Sequence, residues 1–151
     1  MAIFVLLYYF RHMNKVNTKG NLCILFVDDD EDDKEFISQA FHKVTEHCDM
    51  HTAENGKQAL EYLQNIKDED ALPCLIVLDL NMPVLNGLQT LEELNRKPAF
   101  QKIPKVIFTT SDSDEDKKRC LSKGAVDFFV KPSSMTGIIK TVQKMLLYCK
   151  G

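Results

Sequence analysis

Four short apolar runs in this chain each end in side chains suited to polar chemistry. Leu22 to Val27 runs into Asp28, Asp29 and Asp30. Cys74 to Leu78 runs into Asp79, Lys105 to Phe108 into Thr109 and Thr110, and Phe128 to Val130 into Lys131. Carboxylates gathered at one place repel one another unless a cation neutralises them. A site that offers only oxygen ligands, and few of them, suits Mg²⁺, which keeps several of its waters. A lysine and a hydroxyl facing that cation suit an anionic group held between them. Metal, carboxylate, lysine and hydroxyl together can carry phosphoryl transfer, in which positioning and charge neutralisation do most of the catalysis. An aspartate can itself be the acceptor and become an aspartyl-phosphate.

These residues can cooperate only if the apolar runs are neighbouring strands. Between them lie segments with helical spacing. Phe36, Ile37, Ala40, Phe41 and Val44 form one stripe, and Ala59, Tyr62, Leu63 and Ile66 a second. Leu88, Leu91 and Leu94 form a third, and Ile138, Ile139, Val142, Met145 and Leu146 the last. Ser113, three residues before Asp116, caps another helix that Gly124 closes. Met50 to Ala53 adds a weaker strand. The order is strand then helix, five times over, which predicts an α/β fold: a doubly wound, five-stranded parallel sheet covered on both faces. In such sheets ligands bind at the carboxyl ends of the strands, where the polar residues stand.

Composition narrows the function classes. A length of 151 residues suits one domain, and 44% hydrophobic with 27% charged residues is ordinary for a folded protein. A net charge of -3 argues against nucleic acid as a partner. The apolar run Ile3 to Phe10 is far below the ~20 residues that span a bilayer, so no membrane segment is expected. It lacks the flanks of a secretory signal, and residues 1–20 read as an N-terminal extension, with Met13 an alternative start. Five scattered cysteines with no CxxC pair make a poor disulfide or zinc framework. Cys23 and Cys74 read as buried thiols, which fits a cytoplasmic location. His42, His47, Cys48 and His51 match no zinc spacing.

Val27-Asp28-Asp29, Leu78-Asp79-Leu80-Asn81-Met82-Pro83 with Gly87, Phe108-Thr109-Thr110 and Val130-Lys131-Pro132 resemble, in that order, the receiver domain of response regulators. The resemblance runs over residues 21–150 and implies a flavodoxin-like fold and a phosphoryl group taken from a histidine kinase or phosphotransfer protein. It implies Asp79 as phosphoacceptor. Asp29, Asp79 and the backbone carbonyl of Asn81 would hold Mg²⁺, with Asp28 acting through water. Lys131 and Thr109 would each meet a phosphoryl oxygen, and the Lys131–Pro132 bond would be cis. Thr109 and Phe128 take the family's switch positions, which turn phosphorylation into a changed binding face on the fourth helix, fifth strand and fifth helix. That face is where a protein target or a second copy would bind. Thr110, where many relatives carry alanine, is expected to narrow access, and Asn81 and Ser111 to tune the lifetime of the phosphoryl group. Leu-Asn-Met-Pro and the loop after Leu72 resemble single-domain regulators that partner phytochrome-type kinases. No output domain follows Gly151, so the signal is expected to pass by binding another protein.

Two other classes share some of these features. A haloacid-dehalogenase-type phosphatase also places a nucleophilic aspartate after a strand, but wants a second aspartate where this chain has Asn81. A receiver-like module that works without phosphorylation usually lacks the acidic pair or the lysine, and both are present. The acidic run could equally be a solvated helix start, since carboxylates favour that end of a helix. That explains Asp30, Glu31, Asp32 and Asp33, but not Asp79 behind its apolar strand.

Overall fold

Five apolar strands meet in one parallel sheet because each is too hydrophobic to leave either face in water. They are β1 Leu22–Val27, β2 Cys48–Ala53, β3 Leu75–Leu78, β4 Lys105–Thr109 and β5 Asp127–Val130. The sheet order is β2-β1-β3-β4-β5, with every pair parallel. The computed structural model describes residues 20–149. The expectations for the run Ile3 to Phe10 and for the extension up to residue 19 lie outside the described residues.

Strand periodicity sends alternate side chains to opposite faces, and each face has its own core. Ile24, Phe26, Leu75, Val77, Val106 and Phe108 pack on Ile37 and Phe41 of α1 (Glu31–Val44) and on Val142 and Met145 of α5 (Met135–Leu146). Leu25, Val27, Ile76, Leu78 and Ile107 pack on the other side. There they meet α2 (Gly56–Asn65), α3 (Gly87–Arg96) and α4 (Asp114–Ser122). The doubly wound α/β fold is therefore as the alternating sequence predicts.

Each of these helices starts where a short polar side chain accepts a backbone N–H. The caps are Asp30, Asn55, Asn86, Ser113 and Ser134. Asn86 and Gln89 form a reciprocal capping box. Gly124 ends α4 at φ +100, a conformation that suits glycine. Two short elements escape the sequence pattern: a 3₁₀ turn at Glu69–Ala71 and one helical turn at Pro98–Gln101.

One expectation about the cysteines is overturned. Cys74, just before β3, is disulfide-bonded to Cys149, just beyond α5. The two are 75 residues apart, so spacing cannot reveal them as a pair. The packing of α5 against the sheet brings their Cα atoms to 4.9 Å, within bonding range. Cys23, Cys48 and Cys120 are buried free thiols.

Candidate functional site

The sheet order reverses at β1, whose neighbours are β2 on one side and β3 on the other. Reversal splays the loops apart and opens a crevice beyond the strand ends. Val27 pairs with Leu78, so the next residues, Asp28 and Asp79, emerge side by side. Two backbone bonds fix them: Asp28 donates to the Ala53 carbonyl at 3.0 Å and Asp79 to that of Val27 at 3.0 Å. On the next strand pair, the Lys131 N–H donates to the Thr109 carbonyl at 2.7 Å, which carries Lys131 back toward the same crevice.

The side chains converge accordingly. Carboxylate oxygens of Asp28, Asp29 and Asp79 all lie within 4.8 Å of one another. Asp28 is fully buried, Asp79 nearly so, and Asp29 is exposed. The Lys131 ammonium donates to Asp28 Oδ2 at 2.8 Å and stands 3.5 Å from Asp79 Oδ2. It also lies 5.8 Å from the centre of the Phe108 ring. Asp28 Oδ1 accepts the Asp30 N–H, and Asp79 Oδ1 accepts the Leu80 N–H. Asp79 Oδ2 is thus left facing Lys131.

The electrostatics follow from burial. Removal from water pushes Asp28 up to about 6, against the pull of Lys131. Burial also raises Asp79, opposed by the charge of Lys131, the Leu80 N–H and the Thr109 hydroxyl. Lys131 responds the other way. Burial alone would favour its neutral form, but hydrogen bonds to Asp28 and Asp33 outweigh that and hold it charged. Burial makes ionisation of these two carboxylates costly, and once they and the exposed Asp29 are ionised the single Lys131 offsets only part of their charge.

That charge is what a divalent cation would need, and the donor set is all oxygen, so the residues fit Mg²⁺. Asn81 is exposed two residues beyond Asp79, at the mouth of the same loop. Gly87 lets α3 begin there: a Cβ at this position would collide with the backbone of Asp79 and Leu80.

The structure gathers Asp28, Asp29, Asp79, Thr109 and Lys131 at one crevice. Phe128 sits apart, packed in the core with Leu78 and Ile107 and only 8% exposed. Thr110 is exposed, away from the interior. The Ser111 hydroxyl donates to Asp116 at 2.6 Å and is tied to α4. The Lys131–Pro132 bond is trans, contrary to expectation. Even before proline the trans form is favoured by about 0.5–1 kcal/mol, and here Lys131 reaches both Thr109 and Asp28 in that form.

One residue of the site was missed. Asp33, read from sequence as part of a solvated helix start, accepts a hydrogen bond from the Lys131 ammonium on its Oδ2 at 2.6 Å. The available signal was its place one turn beyond the cap Asp30, but Glu31 and Asp32 carry the same charge and sequence alone gives no means of choosing among them.

The chain is similar to known proteins. The profile of the response regulator receiver domain matches residues 24–143. A probable methanogenesis regulatory protein, FilR2 of Methanothrix harundinacea, is 31% identical over 85% of this chain and 83% of its own length. The two-component response regulator ARR6 of Arabidopsis thaliana is 29% identical, over 84% and 70%. Among solved structures, the phosphorylated cyanobacterial phytochrome response regulator RcpA superposes with a TM-score of 0.75 at 26% identity, covering 85% of this chain and 94% of that one. The Mn²⁺-bound response regulator Rcp1 gives 0.71 at 27% identity, over 82% and 90%. With its sheet, its acidic crevice and these relatives in agreement, the chain belongs to the response regulator receiver domains of two-component signalling.

Proposed function

We propose that Asp79 is the phosphoacceptor, taking a phosphoryl group from a histidine kinase or phosphotransfer protein. The observation that carries this is the Oδ2 atom of Asp79. It is the oxygen not engaged by the Leu80 N–H, and it faces the Lys131 ammonium at 3.5 Å. On transfer from a phosphohistidine, the P–N bond breaks as the Asp79 Oδ2–P bond forms, and the imidazole nitrogen keeps the electron pair. Asp29, Asp79 and the Asn81 carbonyl would hold Mg²⁺, with Asp28 acting through water. The ion, when bound, neutralises charge on the transferring group. Lys131 meets one phosphoryl oxygen, and the Thr109 hydroxyl another.

Signal output is assigned to the face formed by α4, β5 and α5. Leu121 on α4, Val126 in the turn after it and Val130 on β5 are exposed, and β5 is an edge strand. A protein target or a second copy would bind there. The domain boundary at residues 20 and 21, with the extension before it, belongs to the same proposal. So does a cytoplasmic location, where kinases find their ATP. The Cys74–Cys149 bond runs against the reduced thiols of that compartment.

Acetyl phosphate with Mg²⁺ should add one acid-stable, base-labile phosphoryl group to the wild type and none to Asp79→Asn. Asp29→Ala should lower Mg²⁺ affinity and phosphorylation together, whereas Lys131→Ala should spare metal binding and impair phosphorylation. Full labelling of Asp79→Asn, followed by mass spectrometry, would sink the assignment.

A further inference from the structure

The Lys131 ammonium has three N–H donors, and in this structure two of them are committed. One goes to Asp28 at 2.8 Å, the other to Asp33 at 2.6 Å; Asp79 stands farther off at 3.5 Å. The two close partners differ in how readily they can let go. Asp28 is fully buried and also accepts the Asp30 N–H, so leaving Lys131 would strand a carboxylate away from water. Asp33 has 32% of its side chain exposed and can exchange the ammonium for solvent.

A phosphoryl group on Asp79 Oδ2 would bring several anionic oxygens toward the same ammonium. It must then compete for an N–H, and Asp33 is the partner able to yield. Until it yields, its carboxylate also repels the incoming anion, because the two would lie on either side of one cation. Asp30, Glu31 and Asp32, the neighbouring acidic residues, make no such contact: Asp30 caps the helix, Glu31 pairs with Lys34, and Asp32 is exposed.

We propose that Asp33 is a positioning residue that holds Lys131 in the unphosphorylated protein and releases it to the phosphoryl group, so that it sets a threshold for phosphorylation. The proposal rests on Asp79 being the phosphoacceptor. Removal of the Asp33 charge should ease anion binding at Asp79 and weaken cation binding beside it. A merely structural role would move both in the same direction.

The test is titration of beryllofluoride at saturating Mg²⁺, and of Mg²⁺ alone, into wild type, Asp33→Asn and Asp33→Glu. Asp33→Asn should bind beryllofluoride more tightly, by up to about 5-fold, the upper end for losing one partly exposed charged partner. Its Mg²⁺ affinity should fall, by up to about 3-fold on the same scale. Asp33→Glu, which keeps the charge, should return both toward wild type. Unchanged or weaker beryllofluoride binding by Asp33→Asn, with the wild type binding normally, overturns the proposal. Failure of the wild type to bind beryllofluoride would instead remove the phosphoacceptor reading, and this inference with it.

Discussion

Thr109 shows how a single side chain can link the site to the rest of the domain. It is fully buried at the end of β4, and its hydroxyl serves two neighbours: it accepts the Ser111 N–H at 3.3 Å and favours the ionised form of Asp79. A phosphoryl group adds acceptor oxygens that would compete for that hydroxyl's hydrogen. Any shift at Thr109 pulls on Ser111, whose own hydroxyl is bonded to Asp116 in α4. A connection from the buried end of β4 to α4 therefore runs through Thr109, Ser111 and Asp116. Thr109→Ala should still be phosphorylated at Asp79 but lose about 1–3 kcal/mol of coupling to partner binding or dimerisation, a typical allosteric magnitude. Partner affinity measured with and without beryllofluoride decides this. An equal gain on activation in both proteins would remove Thr109 from the coupling.

At the scale of elements, Lys105 opens β4 and is almost wholly buried, at 1% exposure. Its ammonium donates to Asn95 Oδ1 at 2.9 Å and to the carbonyls of Phe100 and Gln101 at 2.6 and 3.2 Å. It thereby ties the end of α3 and the turn Pro98–Gln101 to the strand that carries Thr109. These partners are neutral, so burial is not offset by charge, and it pulls Lys105 down to about 8. The unfolded chain, with an ordinary lysine near 10.5, binds more protons than the native state between those values. Stability from this group should therefore rise as pH climbs from about 8 toward 10.5. Denaturant melts of wild type and Lys105→Met across that range isolate the effect. The difference should move in favour of wild type with rising pH, by at most about 3 kcal/mol. A flat difference would mean that Lys105 stays charged in the fold.

The whole molecule is closed by the link between Cys74 and Cys149, which joins the start of β3 to the end of the chain's last helix. Tyr148 adds to this closure by donating to Asp127 at 2.7 Å, which fastens the same terminus to β5. A disulfide that spans 75 residues restricts the unfolded chain far more than the folded one. Reduction, or Cys149→Ser, should cost about 4 kcal/mol on a loop-entropy scale. Thiol titration under denaturing conditions should find three free cysteines in the oxidised protein, matching Cys23, Cys48 and Cys120. A melting curve unmoved by reductant would show that the bond contributes nothing to the fold.

What sequence alone determined lies in the strands and their ends. Runs such as Leu22 to Val27 and Leu75 to Leu78 are apolar on both faces, which forces a covered parallel sheet and puts the next residues at its carboxyl edge. Asp28, Asp79, Thr109 and Lys131 were legible for that reason: their positions depend on local periodicity and a general rule of topology. Contacts across long separations were not legible. Lys105 looked like part of an apolar strand, yet it is a buried cation because the turn after α3 supplies carbonyls that no pattern marks. Cys74 and Cys149 meet only because α5 returns along the sheet. Asp33 was hidden among equivalent charges until the fold brought Lys131, 98 residues later, within 2.6 Å. Sequence periodicity sets which face a side chain takes, but only the packed chain decides which distant partner it meets there.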